Sequence, residues 1–158
     1  MNAGAYNSSM SDIIDSVKVI RNNEIVWLSN SQCQFGYRSS VFLNNPDWII
    51  LEAKLILKPG NVADIKKLMK NRQQRRMASQ PLNYPSAGST FRNIGDIFAW
   101  KLIDEIGFRG KTVGGAAVSE KHTNFIINKG NAKAKDVVEL SDQIIEIIKE
   151  KYGIEMIM

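Results

Sequence analysis

Residues 85–90, a run of small and hydroxyl-bearing residues next to Phe91, form the part of the sequence best suited to chemistry. Small side chains let a ligand approach the backbone amides. A serine in such a run can donate a proton, bind a phosphate or satisfy a turn. Spacing alone favours the turn, so this run indicates a site only where other features of the chain support one.

Several other chemistries lack the residues that they need. No GxSxG segment is present, and the only histidine, His122, lies in a predicted loop, so a Ser-His-Asp hydrolase is disfavoured. One histidine, one cysteine (Cys33) and scattered carboxylates give no metal-ligand spacing. Gly114 and Gly115 alone do not make the glycine-rich turn of a dinucleotide-binding unit. We therefore expect no metal and no Rossmann unit.

Composition places the chain among globular proteins. Its 158 residues, 44% of them hydrophobic, suffice for one core or two small ones. A single cysteine excludes an internal disulfide and fits the reducing cytoplasm. No apolar run approaches the ~20 residues of a membrane span, and the first residues do not form a secretion signal. We expect a cytoplasmic protein that does not enter a membrane.

The net charge of +5 raises the question of an anionic partner, because six basic residues cluster at 66–76. Nucleic-acid binding usually adds aromatic side chains that stack on bases, and no aromatic residue lies between Trp48 and Tyr84. The cluster is better interpreted as the solvated face of a helix. We therefore expect no nucleic acid among the partners.

Apolar spacing and turn residues predict an α+β fold. Two β-rich runs at 17–20 and 24–28 flank the polar residues 21–23, which is typical of a hairpin, and a third strand covers 48–57. A helix should begin after Asn61 and end near Arg76, with Val62, Ile65 and Met69 as its apolar positions. A second helix with apolar positions at 98, 102, 103 and 106, a buried strand at 125–128 and a long helix with apolar positions at 137, 140, 144 and 148 should follow. Gly107 and Gly153 are placed to end the second and third helices.

Four separated motifs occur in one order along the chain: Asn2-Ala3-Gly4-Ala5-Tyr6, the octapeptide FGYRSSVF at 35–42, Gln80-Pro81 with the segment 84–93, and GGAAVS at 114–119. In this order they resemble the UDP-N-acetylenolpyruvoylglucosamine reductase family, also called UDP-N-acetylmuramate dehydrogenase. The form without extra loop insertions, often called type II, fits best. The resemblance spans essentially the whole chain, and four ordered motifs are far more specific than any one alone.

The resemblance implies an oxidoreductase of peptidoglycan precursor synthesis that uses FAD and NADPH. The substrate is UDP-N-acetylglucosamine enolpyruvate, whose double bond receives a hydride from the flavin and then a proton, giving UDP-N-acetylmuramate. Ser89 matches the family serine that donates this proton. Arg38 matches the family arginine that stabilises the negative charge developing toward the substrate carboxylate.

Further positions match family motifs with supporting roles. The resemblance implies flavin contacts by Asn2, Ala3, Gly4, Ala5 and Tyr6, and substrate contacts by Tyr37, Asn93 and Arg109. His122 lies in the family loop that faces the active-site region, and a solvated loop role explains it equally well. Arg92 stands where the family often has lysine, which keeps the positive charge.

The resemblance also implies a division of the chain. Residues 1–60 correspond to part of an FAD-binding subdomain, and residues 61–158 to a substrate-binding domain that stops before its last strand. In the family, an amino-terminal flavin-binding region precedes the position of Met1, and a glutamate that cooperates with the serine follows the position of Met158. We therefore expect that the chain alone binds FAD weakly, reduces no substrate and can self-associate through apolar surface.

Two alternatives remain open from the residues alone. The chain could be a non-catalytic module that binds a nucleotide or phosphate through the basic helix and residues 85–90. It could also be a purely structural domain.

Overall fold

The chain has two compact units. A computed structural model describes residues 1–158 and divides them into Met1–Asn61 and Val62–Met158. The fold is α+β, as predicted, with three α-helices and three separate antiparallel sheets. None of the helices combines the length and the apolar character that a membrane crossing requires. The functional roles assigned to residues 1–60 and 61–158 remain predictions.

The first unit is built from antiparallel strands. Its small hairpin pairs β1 with β2, and its three-stranded sheet has the order β4-β3-β5. Asn22 and Asn23 connect β3 to β4 with φ angles of 50° and 62°, the left-handed pair that a tight hairpin turn requires. The predicted hairpin is thus confirmed, with strands longer than the β-rich runs. The bounds are β1 Gly4–Ala5, β2 Ser8–Ser9, β3 Ile14–Arg21, β4 Glu24–Ser29 and β5 Ile49–Leu55.

One face of the β3–β4 hairpin is buried. Val17 and Val19 of β3, Leu28 of β4 and Cys33 form its core. Burial raises the pKa of the Cys33 thiol, so this cysteine serves packing rather than reactivity. All seven residues of β5, an edge strand that pairs only with β3, are exposed, so neither face of this strand is covered.

The second unit combines three helices with a four-stranded sheet of order β6-β9-β8-β7, in which every pair is antiparallel. The sequence predicted a loop at 85–90, whereas the structure has an edge strand there. Short, small side chains hide such a strand from periodicity analysis. The bounds are α1 Val62–Ser79, β6 Ser86–Ser89, α2 Ala99–Glu105, β7 Thr112–Val113, β8 Ala116–Val118, β9 Phe125–Asn128 and α3 Ala134–Tyr152.

The predicted long helix, α3, supplies most of the core of this unit. Leu140, Ile144 and Ile148 lie on one face at helical spacing and are fully buried against α2 and the sheet. Each such side chain stabilises the fold by about 1.5–3 kcal/mol through burial. Gly153 has a φ of 67° and ends the helix, as predicted.

The remaining two helices differ in part from their predictions. In α1, which extends to Ser79, the predicted apolar positions Val62, Ile65 and Met69 are exposed rather than buried. Lysine, arginine, glutamine and methionine are strong helix formers, so the helix is favoured by local preference without a buried face. Phe98, predicted as part of the buried stripe of α2, precedes that helix and is 47% exposed.

Candidate active site

Ser89 is the last residue of β6 and is exposed. Strand β6 pairs with β9 so that Ser86 is opposite Ile127 and Ser89 is opposite Phe125. Two residues of β6 therefore face one residue of β9, which is a β-bulge, and Gly88 adopts the φ of 92° that the bulge requires. Bulges redirect the side chains that follow them, so the bulge helps to set the direction of Ser89.

A cavity of about 660 Å³ adjoins Ser89. Its size is in the range of cavities that hold small organic ligands. Hydroxyl groups of Ser86, Ser89 and Thr90 lie on one side, and Lys133 at the start of α3 adds a positive charge. Most of the other lining residues are apolar, so the cavity suits a ligand that combines apolar surface with a few hydroxyl or anionic groups.

Three of the site residues predicted in the first unit lie close together at one turn. Residues 36–39 form a tight turn in which Gly36 and Ser39 exchange backbone hydrogen bonds of 3.1 and 3.2 Å. Arg38 is half-buried, has a φ of 50°, and places its guanidinium 5.2 Å from the ring centre of Tyr37. Asn2 donates a hydrogen bond from Nδ2 to the Gly36 carbonyl at 3.1 Å. The structure thus brings Asn2, Tyr37 and Arg38 to one turn.

The segment that was predicted to contact flavin has a clear local structure. Residues 2–6 lead into the β1–β2 hairpin, and the carbonyl of Ala3 accepts a hydrogen bond of 2.9 Å from Met10 N–H. A Cβ atom at Gly4 would lie 3.0 Å from the Ser8 carbonyl oxygen, so glycine at this position serves the hairpin itself. Ala5 and Tyr6 are exposed at the hairpin end.

One polar atom near Arg38 is unsatisfied. The Ser40 hydroxyl is buried and has no hydrogen-bond partner, although buried polar groups are nearly always paired. Ser40 follows Arg38 by two residues. Sequence reasoning gave no signal for this unpaired hydroxyl.

Asn93 and Arg109, the other predicted substrate contacts, make structural interactions. The Asn93 side chain accepts a hydrogen bond of 3.1 Å from the N–H of Ala99, the first residue of α2. Arg109 donates from Nε and Nη2 to the two carboxylate oxygens of Asp104, both at 2.8 Å, and from Nη1 to the Glu120 carbonyl. This pairing lowers the pKa of Asp104 and raises that of Arg109. Their substrate roles remain predictions.

His122 is more buried than the solvated-loop interpretation implies. Its ring lies edge-on to Trp100 and Phe125, with centroid distances of 6.4 and 5.0 Å, and it is half-buried. Burial lowers the pKa of His122, and the positive charge of Arg109 lowers it further. A neutral imidazole near pH 7 follows from these surroundings.

Sequence reasoning missed a second cavity in this unit, also of about 660 Å³. It lies between residues 80–84 and the loop after β8, and its lining includes the charged residues Glu120, Lys121 and Lys129. The Lys121 ammonium also donates to the carbonyl of Met77 near the end of α1. The Gln80-Pro81 motif was its only sequence signal, because the two lysines are distant from that motif in the chain.

The second unit is therefore an α+β domain with a ligand-sized cavity beside an exposed serine. The family model for the carboxy-terminal domain of UDP-N-acetylenolpyruvoylglucosamine reductase matches residues 80–158. That match covers half of the chain, and the chain belongs to this family. The predicted family is thus confirmed.

Curated relatives carry the same family name. The UDP-N-acetylenolpyruvoylglucosamine reductase of Caldanaerobacter subterraneus is 49% identical over 99% of this chain and 52% of its own length. That of Clostridioides difficile is 47% identical over 98% of this chain and 51% of its own length. The crystal structure of the Thermus caldophilus reductase superposes with a TM-score of 0.85 at 33% identity, over 99% of this chain and 56% of that one. The chain spans about half the length of the relatives that it matches.

Proposed function

We propose that this chain supplies the substrate domain and part of the flavin-binding subdomain of an oxidoreductase. The reaction is the reduction of UDP-N-acetylglucosamine enolpyruvate to UDP-N-acetylmuramate, a precursor of peptidoglycan, in the cytoplasm. The observation that carries this proposal is Ser89, exposed at the end of a bulged strand beside a ligand-sized cavity, in a chain of this family.

Ser89 donates the proton that completes the reduction. Its hydroxyl is a weak acid, so neighbouring groups or a proton relay must assist the transfer. Lys133 lines the same cavity, and its positive charge stabilises the negative charge that the proton transfer leaves on the Ser89 oxygen. The proton reaches the substrate carbon that does not receive the hydride.

Arg38 stabilises the negative charge that develops toward the substrate carboxylate. Its permanently charged, planar fork matches a carboxylate with two parallel hydrogen bonds. The left-handed backbone at Arg38 is unfavourable for a non-glycine residue, and such strain is often found at functional sites. Tyr37 restricts the guanidinium through its ring face.

The residues of the first unit fit a bound group at one point, the unpaired Ser40 hydroxyl beside the Arg38 turn. With Asn2, Ala3, Gly4, Ala5 and Tyr6, this region would hold part of the FAD. When bound, FAD supplies the hydride, and NADPH returns it to the reduced form. Tight FAD binding requires the amino-terminal half that the relatives have in addition. The exposed apolar edge of β5 supports self-association of the chain on its own.

The test joins this chain to the amino-terminal half of the Caldanaerobacter subterraneus relative and to the segment of that relative that follows the position of Met158, giving what we call the fusion protein. After FAD loading, we expect NADPH consumption that depends on UDP-N-acetylglucosamine enolpyruvate and yields a product two hydrogens heavier by mass spectrometry. The matched control omits the enolpyruvyl substrate. An FAD-loaded fusion protein that binds UDP compounds yet consumes no NADPH would favour the rival function, a non-catalytic nucleotide-binding module.

A further inference from the structure

Asn124, just before β9, uses both ends of its side-chain amide on the main chain of one distant residue. Its Oδ1 accepts a hydrogen bond from Phe91 N–H at 2.9 Å, and its Nδ2 donates to the Phe91 carbonyl at 2.8 Å. Asn124 is only 4% exposed. A buried amide is costly unless it is paired, and here both halves are paired with ideal lengths.

These hydrogen bonds continue a sheet beyond its end. The β6–β9 ladder ends where Ser89 is opposite Phe125. The next amide, Thr90 N–H, donates to the backbone carbonyl of Asn124 at 2.8 Å. At Phe91, the side-chain amide of Asn124 makes the two hydrogen bonds that a neighbouring strand would make with the main chain. The main chain is thereby fixed directly after Ser89, as the bulge fixes it directly before.

The asparagine itself is held firmly. In the loop before it, the Ser119 hydroxyl accepts from the N–H groups of Lys121 and His122, and Thr123 Oγ1 donates to the Trp100 carbonyl. On the other side of the pairing, the Phe91 ring is buried in the core, 3% exposed. Because Asn124 and Phe91 are both held in place, the packing of the core fixes the orientation of residues 89–91.

We propose that Asn124 is a positioning residue for Ser89, which keeps the Ser89 hydroxyl directed at the adjoining cavity by fixing the main chain of Phe91. This inference rests on the proposed function, because it gives Ser89 the role of proton donor. A proton donor must keep the right distance and orientation to the acceptor atom, and a misplacement of about 1 Å can reduce a rate about 100-fold.

The substitution Asn124→Asp tests the pairing in this chain alone. A protonated Asp can donate to the Phe91 carbonyl and accept from its N–H, as asparagine does, whereas a carboxylate only accepts and repels the carbonyl. Burial favours the protonated form. We expect the amides of Thr90 and Phe91 to exchange with solvent at least about tenfold faster than in wild type at about pH 8, and at wild-type rates at about pH 5.

The matched control is Asn128→Asp at the other end of β9. Asn128 Oδ1 only accepts, from the N–H groups of Gly130 and Ala132 at 2.8 and 3.2 Å, so a carboxylate preserves both hydrogen bonds. We expect no pH-dependent loss of protection at Thr90 and Phe91 in this variant. Unchanged protection of Leu140 and Ile144 in α3 would show that the Asn124→Asp variant remains folded. Amide exchange in Asn124→Ala, at Thr90 and Phe91 compared with α3, tests loss of the pairing without adding a charge.

The functional arm uses the fusion protein with Asn124→Asp. We expect oxidation of reduced flavin by the enolpyruvyl substrate to be about 10- to 100-fold slower than in wild type at about pH 8 and to recover at about pH 5. Reduction of the flavin by NADPH should keep its wild-type rate. Faster amide exchange with an unchanged oxidation rate would overturn the positioning role. Failure of the proposed function is distinguishable, because the wild-type fusion protein would then be inactive as well.

Discussion

His122 is the residue whose surroundings most clearly set its chemical state. Its ring lies between Trp100 and Phe125, and the guanidinium of Arg109 adds a positive charge nearby. Both burial and a like charge disfavour the imidazolium. A neutral imidazole can accept a hydrogen bond, and its Nδ1 does so from Asn124 N–H at 3.3 Å. His122 is therefore part of the structure that holds Asn124.

We predict that His122 titrates below the ordinary histidine value of about 6.5. Because the folded pKa is lowered, the unfolded chain binds more protons, so the free energy of unfolding decreases as pH falls below about 6.5. Proton NMR of the only imidazole in the chain measures the titration midpoint directly. A midpoint at or above that of a free histidine would contradict this description of the His122 environment.

At the scale of elements, the β7–β8 turn packs closely against the loop that precedes α3. A Cβ atom at Gly115 would lie 2.4 Å from the Gly130 carbonyl oxygen and 2.5 Å from the Ala132 nitrogen. The N–H of Gly115 also donates to the Asp136 carboxylate at 3.1 Å. The GGAAVS motif thus has a packing reason that holds independently of any catalytic role.

We predict that Gly115→Ala destabilises the protein by about 3 kcal/mol, since two backbone segments must move apart. The matched control is Gly107→Ala, where φ is 73° and no atom lies within 4 Å of the added Cβ. That variant should lose only about 1 kcal/mol through backbone strain. Urea denaturation measures both, and equal losses in the two variants would show that close packing at Gly115 is not decisive.

Asp136 joins the same turn to α3. Its carboxylate accepts from the N–H groups of Lys133 and Gly115 at 3.0 and 3.1 Å, and these hydrogen bonds lower its pKa. The contribution to stability is therefore fully present above the unfolded pKa of about 3.9 and is lost as pH falls through the folded pKa.

We predict that Asp136→Asn lowers the free energy of unfolding near neutral pH, and that its difference from wild type shrinks as pH decreases below about 4. Urea denaturation at several pH values measures this difference. Asp142→Asn, an exposed position on the same helix, controls for the change of net charge. A difference from wild type that stays constant from neutral to acid pH would contradict the assignment.

Sequence patterns predicted some elements well and missed others for physical reasons. Helix α3 was predicted because its apolar residues repeat at helical spacing and its terminal glycine is explicit. Strand β6 was missed because its four small residues carry no alternation, and its pairing partner is 36 or more residues away. The contact of Asn124 with Phe91 is equally long-range. Ser89 and Arg38 were predicted as site residues only because whole motifs resemble those of a family.

On the scale of the whole molecule, charge and length stand out. Helix α1 carries six basic residues and one acidic residue, so its net charge of +5 equals that of the whole chain. Every residue of this helix is exposed, which agrees with the interpretation as a solvated helix face. Since the chain spans about half the length of its relatives, we predict that FAD-dependent activity is absent from the chain alone and present in the fusion protein.

The most direct measurement follows the two half-reactions of the fusion protein by stopped-flow absorbance of the flavin. With Ser89→Ala, flavin reduction by NADPH should keep its wild-type rate, while flavin oxidation by the enolpyruvyl substrate should slow by about 100- to 10,000-fold. Ser79→Ala, on exposed helix α1, is the matched control for loss of a hydroxyl. Equal slowing of both half-reactions, or no slowing of oxidation, would contradict Ser89 as the proton donor.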